Sequence, residues 1–190
     1  MPYTAQASDL CLLADVREYL GLTVTTSDNL LQRMITSCST WIKSWSNRDY
    51  VTGTYTDRFD GNDYREITVS QYPIVSISSI TIDGVTVDPT KYKADSEGFP
   101  FIELTDGTVF TRGTKNVVIS YTAGYGTLTL GTIPQDVVQA CIELVAWRFT
   151  ERTRIQQSSK SMGGEVVSFQ TGAGAQSTMV LLAQYKRVIP

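Results

Sequence analysis

Chemistry in a protein this size has to come from a few residue types, and the first of them is missing. The 190-residue chain contains no histidine, which removes the usual general base near neutral pH and the commonest metal ligand. Its three cysteines, Cys11, Cys38 and Cys141, are odd in number, far apart and in no Cys-x-x-Cys spacing, so they form neither a disulfide framework nor a metal knuckle. They read as buried thiols. A serine nucleophile would need a base other than histidine, and the one candidate arrangement, Ser158-Ser159-Lys160, sits in a low-complexity stretch without the strand-to-helix elbow such a nucleophile uses. Gly124-Tyr125-Gly126 continues into Thr-Leu-Thr-Leu, with no third glycine opening a helix and no Gly-Lys-Ser/Thr, so no phosphate-cradling loop is present. Asp60-Gly61-Asn62-Asp63 begins like a calcium loop but lacks the alternating acids and the glutamate at the twelfth position. The other carboxylates fall mostly at turns, where aspartate serves local hydrogen bonding rather than catalysis. No catalytic residue, cofactor-binding motif or metal ligand set is assigned.

The one basic group is Arg148, Arg152 and Arg154 with Lys160. Placed on and just beyond a helix, it reads either as a solvated helix end or as a contact to a subunit or a passing phosphate backbone. The whole-chain charge of −3 gives no general attraction to DNA or anionic lipid, so DNA contact would be local, weak and salt-dependent. Acidic residues at the start, Asp9, Asp15 and Glu18, surround a short apolar stretch, which is not a signal-peptide pattern. The longest dense apolar run, Val137 to Phe149, is interrupted by Gln139, Glu143 and Arg148 and is too short to span a bilayer. The chain therefore reads as soluble, with no membrane partner.

The elements that carry these residues divide by texture. At 42% hydrophobic and 18% charged the composition is ordinary globular, and a domain of this length hides about 70% of its unfolded surface without a staple or metal. In 49–126 acids outnumber bases eleven to six, whereas in 1–48 they are equal and in 133–190 bases lead six to four. The acidic middle is rich in Thr, Ser, Val, Ile and Tyr with turn dipeptides, and the ends carry helical periodicity. This predicts an α+β fold: a small helical bundle with an inserted antiparallel sheet or small barrel. A short helix covers Leu12 or Leu13, Val16 and Leu20 and stops at Gly21. A second runs from about Ser27 to Ser46, with capping oxygens in Thr26-Ser27-Asp28-Asn29 and apolar residues every three or four positions; Trp41 and Trp45 on it read as core. Strands are expected at Tyr64–Ser70, Ser79–Ile82, Val85–Val87, Phe101–Leu104 and Val117–Tyr121. Asp83-Gly84 should form a type I′ hairpin turn, because both central positions of that turn need positive φ. Pro134 opens a long helix whose Val137, Val138, Cys141, Ile142, Leu144, Val145, Trp147 and Phe149 leave little polar circumference. Either it is the central helix or its second face meets another subunit. The stretch 158–178 reads as a flexible connection containing a strand-prone segment, Glu165 to Phe169, suited to a neighbour's sheet edge. Met179 to Pro190 forms a terminal amphipathic segment with Lys186 and Arg187 in its last turn.

The order of these elements carries a resemblance. The run Leu-Ala-Asp-Val-Arg-Glu-Tyr-Leu-Gly-Leu (13–22), the helix from Asp28-Asn29-Leu30-Leu31-Gln32-Arg33-Met34-Ile35 to Trp41-Ile42-Lys43-Ser44-Trp45-Ser46-Asn47-Arg48, the closing Ile119-Ser120-Tyr121-Thr122-Ala123-Gly124-Tyr125, and Ile133-Pro134-Gln135-Asp136-Val137 leading to Glu143-Leu144-Val145-Ala146-Trp147-Arg148-Phe149 resemble the head-tail connector (adaptor) proteins of tailed bacteriophages. Ser159 to Ser168 is similar to the family's loop after the long helix. The resemblance implies a structural subunit rather than an enzyme: a homo-oligomeric ring beneath the dodecameric portal, extending the DNA channel and offering a platform to a tail, stopper or tail-terminator protein. It implies a place in the virion neck after assembly in the host cytoplasm, and only transient, non-specific contact with passing DNA. By this similarity the helical core is 1–48 with 127–157, the β insertion 49–126, the loop 158–178 and the portal-docking segment 179–190. Docking falls on Met179, Leu181, Leu182, Tyr185, Lys186, Arg187 and Val188. Subunit or channel contact falls on Arg148, Arg152, Arg154, Lys160, Val166, Val167 and Phe169. The rival reading from the residues alone is a carbohydrate- or ligand-binding sheet module on a helical stalk, which three aromatic pairs exposed together on one sheet face would favour.

Overall fold

The computed structural model describes residues 3–95, 99–128, 131–152, 159–162, 165–168 and 173–187. The chain divides into two compact units: Met1–Arg48 with Thr127–Pro190, and Asp49–Gly126. Among the described residues the fold is mixed α+β, with the α-helices in the first unit and two antiparallel sheets, with one 3-10 turn at Pro89–Lys91, in the second.

The helical unit begins with α1 (Leu13–Tyr19), which buries Val16. Its end is set by Gly21, whose φ of 64° lets Gly21 N–H donate to the Glu18 carbonyl at 3.0 Å and Leu22 N–H to the Arg17 carbonyl at 2.9 Å. That paired closure satisfies carbonyls a helix end otherwise leaves open, and only a residue at ease with positive φ permits it. α2 (Asp28–Ser46) buries Leu31, Ile35, Cys38 and Ile42, a stripe spaced by four and three as a helix pitch requires. It closes on Asn47 at φ 53°, with Arg48 N–H reaching the Lys43 carbonyl at 3.3 Å. The expected capping oxygens do not cap: Ser27 makes no side-chain bond there, and Asn29 Oδ1 instead accepts the Tyr3 N–H at 2.6 Å.

Pro134 precedes α3 (Gln135–Glu151), in which Val137, Val138, Ala140, Cys141, Ile142, Leu144, Val145, Ala146 and Phe149 are buried. α1, α2 and a fourth helix, α4 (Ala173–Leu182), all pack on it. Of the two roles open to this apolar helix, the chain uses it as the central one. α4 starts well before Met179 and is followed by a single 3-10 turn, Ala183–Tyr185. Lys186 and Arg187 therefore lie past the helix rather than in its last turn. The stretch read as a flexible connection contains a hairpin, β8 (Ser159–Met162) with β9 (Glu165–Ser168). Its register places Lys160 opposite Val167 and Ser161 opposite Val166. The strand-prone segment Glu165–Ser168 is paired within its own chain.

The sheet unit holds β1 (Gly53–Gly61), β2 (Glu66–Thr68), β3 (Ile74–Ile82), β4 (Val85–Thr86), β5 (Tyr92–Ala94), β6 (Phe101–Leu104) and β7 (Gly113–Ala123). One sheet runs β1-β7-β3-β4 and the other β2-β6-β5. β7 buries Val117, Ile119, Tyr121 and Ala123 in strict alternation, and these meet Ile67, Ile80, Ile102, Leu104 and Phe110 in one core shared by both sheets. The insertion thus holds two antiparallel sheets around one shared core. The turn between β3 and β4 has Asp83 at φ 51° and Gly84 at φ 79°, the positive pair that a type I′ turn needs. The unit's two ends are pinned together, with Thr52 N–H on the Gly126 carbonyl at 2.8 Å and Tyr125 N–H on the Tyr50 carbonyl at 2.9 Å. Gly124, at φ 127°, lies so close that an added Cβ would stand 2.6 Å from Thr52 Cα.

Candidate assembly surfaces

The terminal segment is fastened to its own helices before it meets anything else. Thr178 and Leu182 are fully buried, so Leu182 belongs to this chain's core and leaves the set of docking residues. Gln184 Nε2 donates to Asp136 Oδ2 at 3.1 Å and Tyr185 Oη to the same oxygen at 3.4 Å, tying the 3-10 turn to the first turn of α3. Lys186 Nζ sits 5.0 Å from the centre of the Trp45 ring, within cation–π range. Arg187 N–H donates to the Ser46 carbonyl at 2.9 Å. Met179 is half-buried, and Leu181 is exposed. Val188 lies outside the described residues. The residue that sequence reasoning missed is Val180, 75% exposed. Helical phase separates it from the buried pair, because 180 lies across the helix from 178 and 182 while 181 flanks them.

The basic group is only partly assembled. Arg148 Nη1 is 3.4 Å from Ser37 Oγ on α2. Arg152 lies one turn on, its guanidinium carbon 3.4 Å above the Phe149 ring centre, and it also donates to the Phe149 carbonyl. Arg148 is thus turned to α2, and Arg152 is held against its own helix end. Lys160, Val166 and Val167 are placed only by the hairpin register, while Arg154 and Phe169 lie outside the described residues.

The thiols are packing groups. Cys11 and Cys141 approach to 3.4 Å between sulfurs, and that contact together with burial pushes the Cys11 thiol up. Burial pushes Cys38 up to about 12 against the opposing Arg148 charge. Thiols held protonated in this way are poor nucleophiles. In the sheet unit Asp57 Oδ2 accepts Ser70 N–H at 2.9 Å, Ser70 Oγ at 2.5 Å and Tyr121 Oη at 2.7 Å, and Tyr121 Oη accepts Gln71 N–H at 3.0 Å. Burial, with Asp57 adding to it, raises Tyr121 to about 12 although the Ser70 and Gln71 bonds pull the other way. The cluster clamps β1, β7 and the segment after β2 together and keeps its phenol neutral.

Among the described residues no group of carboxylates or cysteines can hold a metal ion, and no helix is long and apolar enough to cross a membrane. The exposed aromatic pair is Phe99 with Phe101, centroids 6.4 Å apart. The ring pairs Tyr50–Tyr125 and Tyr55–Tyr121 each include a fully buried member, so the described residues do not supply the three exposed pairs a sugar-binding face would want.

Comparison with curated proteins finds no match. Among solved structures the chain is similar to one from the neck of an empty GTA particle computed with C6 symmetry, at 16% identity and a TM-score of 0.64, covering 99% of this chain and 94% of that one. It is similar with the same coverage to one from the neck of a native GTA particle computed with C12 symmetry, at 16% identity and a TM-score of 0.62. A third, from the virion of a native gene transfer agent particle, has 15% identity, a TM-score of 0.64, and again covers 99% of this chain and 94% of that one. At such identities the likeness is one of fold. The family model described as head completion protein matches residues 9–188, a span that takes in α1, the whole sheet unit, α3, the hairpin and α4, and on that match the chain belongs to the head completion protein family.

Proposed function

We propose that this protein is a structural subunit of the neck, joining the capsid to a tail or stopper protein as part of a ring beneath the portal and around the DNA channel, and that it is not an enzyme. Family membership and a fold shared with neck chains support the role. The cyclic symmetry with which those necks were computed supports a ring, here of twelve copies on the portal. The observation in this molecule that carries the reading is α4: one side, Thr178 and Leu182, is sunk in the core, while Val180 and Leu181 present apolar side chains outward. A helix anchored on one side with valine and leucine left outside is built for a protein contact. Portal docking is assigned to that outer side with Lys186, and subunit or channel contact to the β8–β9 hairpin and the Arg148–Arg152 helix end. Excess acid over base, 19 to 16, lets DNA pass without adhering.

Electron microscopy of portal particles with and without this protein tests the reading. Ring density should appear below the portal with wild type and disappear with Val180→Asp/Leu181→Asp, whose melting should match wild type because both positions are exposed. Absence of added ring density with wild type overturns the proposal.

A further inference from the structure

The second sheet has an outer face that the described residues leave exposed. β2, β6 and β5 turn Ile67, Ile102, Leu104 and Tyr92 toward the core, so by alternation Glu66, Phe101, Glu103 and Lys93 face outward. Across that outer face Glu66 stands directly opposite Glu103, and Glu103 opposite Lys93. Lys93 Nζ pairs with Glu103 Oε2 at 3.0 Å. Two like charges set directly opposite each other weaken a sheet; Lys93 serves Glu103, and Arg65 lines one depression beside Glu66 and Phe101. Beside them Phe101 is 41% exposed, Phe99 52% and Tyr64 70%. Two open depressions of about 200 Å³ and 410 Å³ flank Phe101, and Glu66 lines both.

We infer that this face of β2-β6-β5 docks an arginine-bearing segment of a partner protein, with a guanidinium laid between Glu66 and the Phe101 ring. A carboxylate beside an exposed aromatic ring is the environment that favours a planar cation: the carboxylate accepts its N–H groups and the ring face attracts its charge. A cation placed there also relieves the repulsion between Glu66 and Glu103. The sheet unit's excess of eleven acids over six bases draws a basic segment in and turns a phosphate backbone away. In a second copy of this chain Arg148 and Arg152 are already engaged with Ser37 and Phe149, so self-docking would have to draw on another of its ten arginines. The inference concerns the sheet unit alone and does not require the ring.

The test uses the full chain and fluorescein-labelled nona-arginine as the probe, read by anisotropy, with Glu18→Gln on α1 as the matched loss of one acid elsewhere. Glu66→Gln and Phe101→Ser should each weaken binding about tenfold, while Glu18→Gln leaves it within about twofold of wild type. Glu66→Gln should also raise the melting temperature, since it removes the opposed charge, so affinity and stability move in opposite directions. If Phe101→Ser fails to melt cooperatively, Phe99→Ser replaces it. Equal binding by Glu66→Gln, Glu18→Gln and wild type overturns the inference, as it marks general charge attraction. Concentration-dependent self-association in sedimentation velocity that Phe101→Ser abolishes overturns it in favour of a second copy. Binding of a neutral chitin hexamer that depends on Phe101, with nona-arginine binding indifferent to it, overturns it in favour of a sugar.

Discussion

The two units solve the problem of buried polarity differently. The helical unit draws on two stretches far apart in sequence and buries its polar side chains among the aliphatic and thiol groups around α3: Asp9, Gln32, Ser39, Ser46, Arg48 and Thr178 are all buried, with Gln32 Nε2 donating to Asp9 Oδ2 at 2.7 Å and Ser39 Oγ accepting the Leu10 N–H at 2.9 Å. The sheet unit is one continuous stretch and ties itself with side chains: Asp57 to Ser70 and Tyr121, Asp88 to Thr90 N–H at 2.9 Å, Asp106 to Thr108 N–H at 3.0 Å. Close packing makes the first sensitive to lost volume, whereas a hydrogen-bonded clamp makes the second sensitive to lost donors. Surfaces for assembly can be set on the first without altering the second.

Three measurements would break or sharpen that contrast. The largest effect is expected from Leu144→Ala at the 1%-exposed centre of α3, which should cost the helical unit about 2–5 kcal/mol. Hydrogen exchange should show faster exchange in α2 and α3 while β7 amides stay protected; equal loss in both would mean that the units unfold as one. Tyr121→Phe removes the phenol that bridges Asp57 and Gln71, and should cost the sheet unit about 1–3 kcal/mol, seen as a lower denaturant midpoint for β1 and β7 with the helices unmoved.

The smallest effect is alkaline. Burial, with Asp49 adding to it, raises Tyr55 to about 12 from 10.0, and Tyr121 rises to about 12 from the same value. The folded unit thus keeps protons that the unfolded chain releases, and by linkage its stability is full below pH 10 and falls as pH approaches 12. Cys38 rises from 9.0 to about 12, and Cys11 is also raised, so the helical unit's decline has the same sign but starts nearer pH 9. A pH series of exchange rates should show the helices loosening first; the reverse order would place the controlling ionisations elsewhere.

Much of this was legible in the residues. Helix phase gave both bounds of α2 and the start of α3 to within a residue, because long stripes at spacings of three and four leave no other reading. Gly21 and Asp83-Gly84 marked their turns because positive φ selects their residue types. β1 escaped notice: in Thr54-Tyr55-Thr56-Asp57-Arg58-Phe59 the aromatic residues alternate with charge, and its pairing with β7 is non-local. The hairpin and the early start of α4 escaped because glycine and serine lower local propensity, a bias that contacts far along the chain override. At the assembly surfaces the letters name an apolar terminal segment and its helical phase sets Val180 apart from Thr178 and Leu182, but which of those sides is buried is not written locally. That depends on α3, which lies across the fold and not across the alignment of neighbouring letters.

The bonds that pin Thr52 to Gly126 and Tyr50 to Tyr125 have a kinetic meaning. Once they close, the path from the end of α2 to the start of α3 is no longer a long excursion but a pinch about one strand-spacing wide, about 5 Å. The entropy of bringing those two helices together then resembles that of a short hairpin loop. An insertion built this way can lengthen, shrink or change its own interior over evolutionary time and still present the helices with the same short bridge.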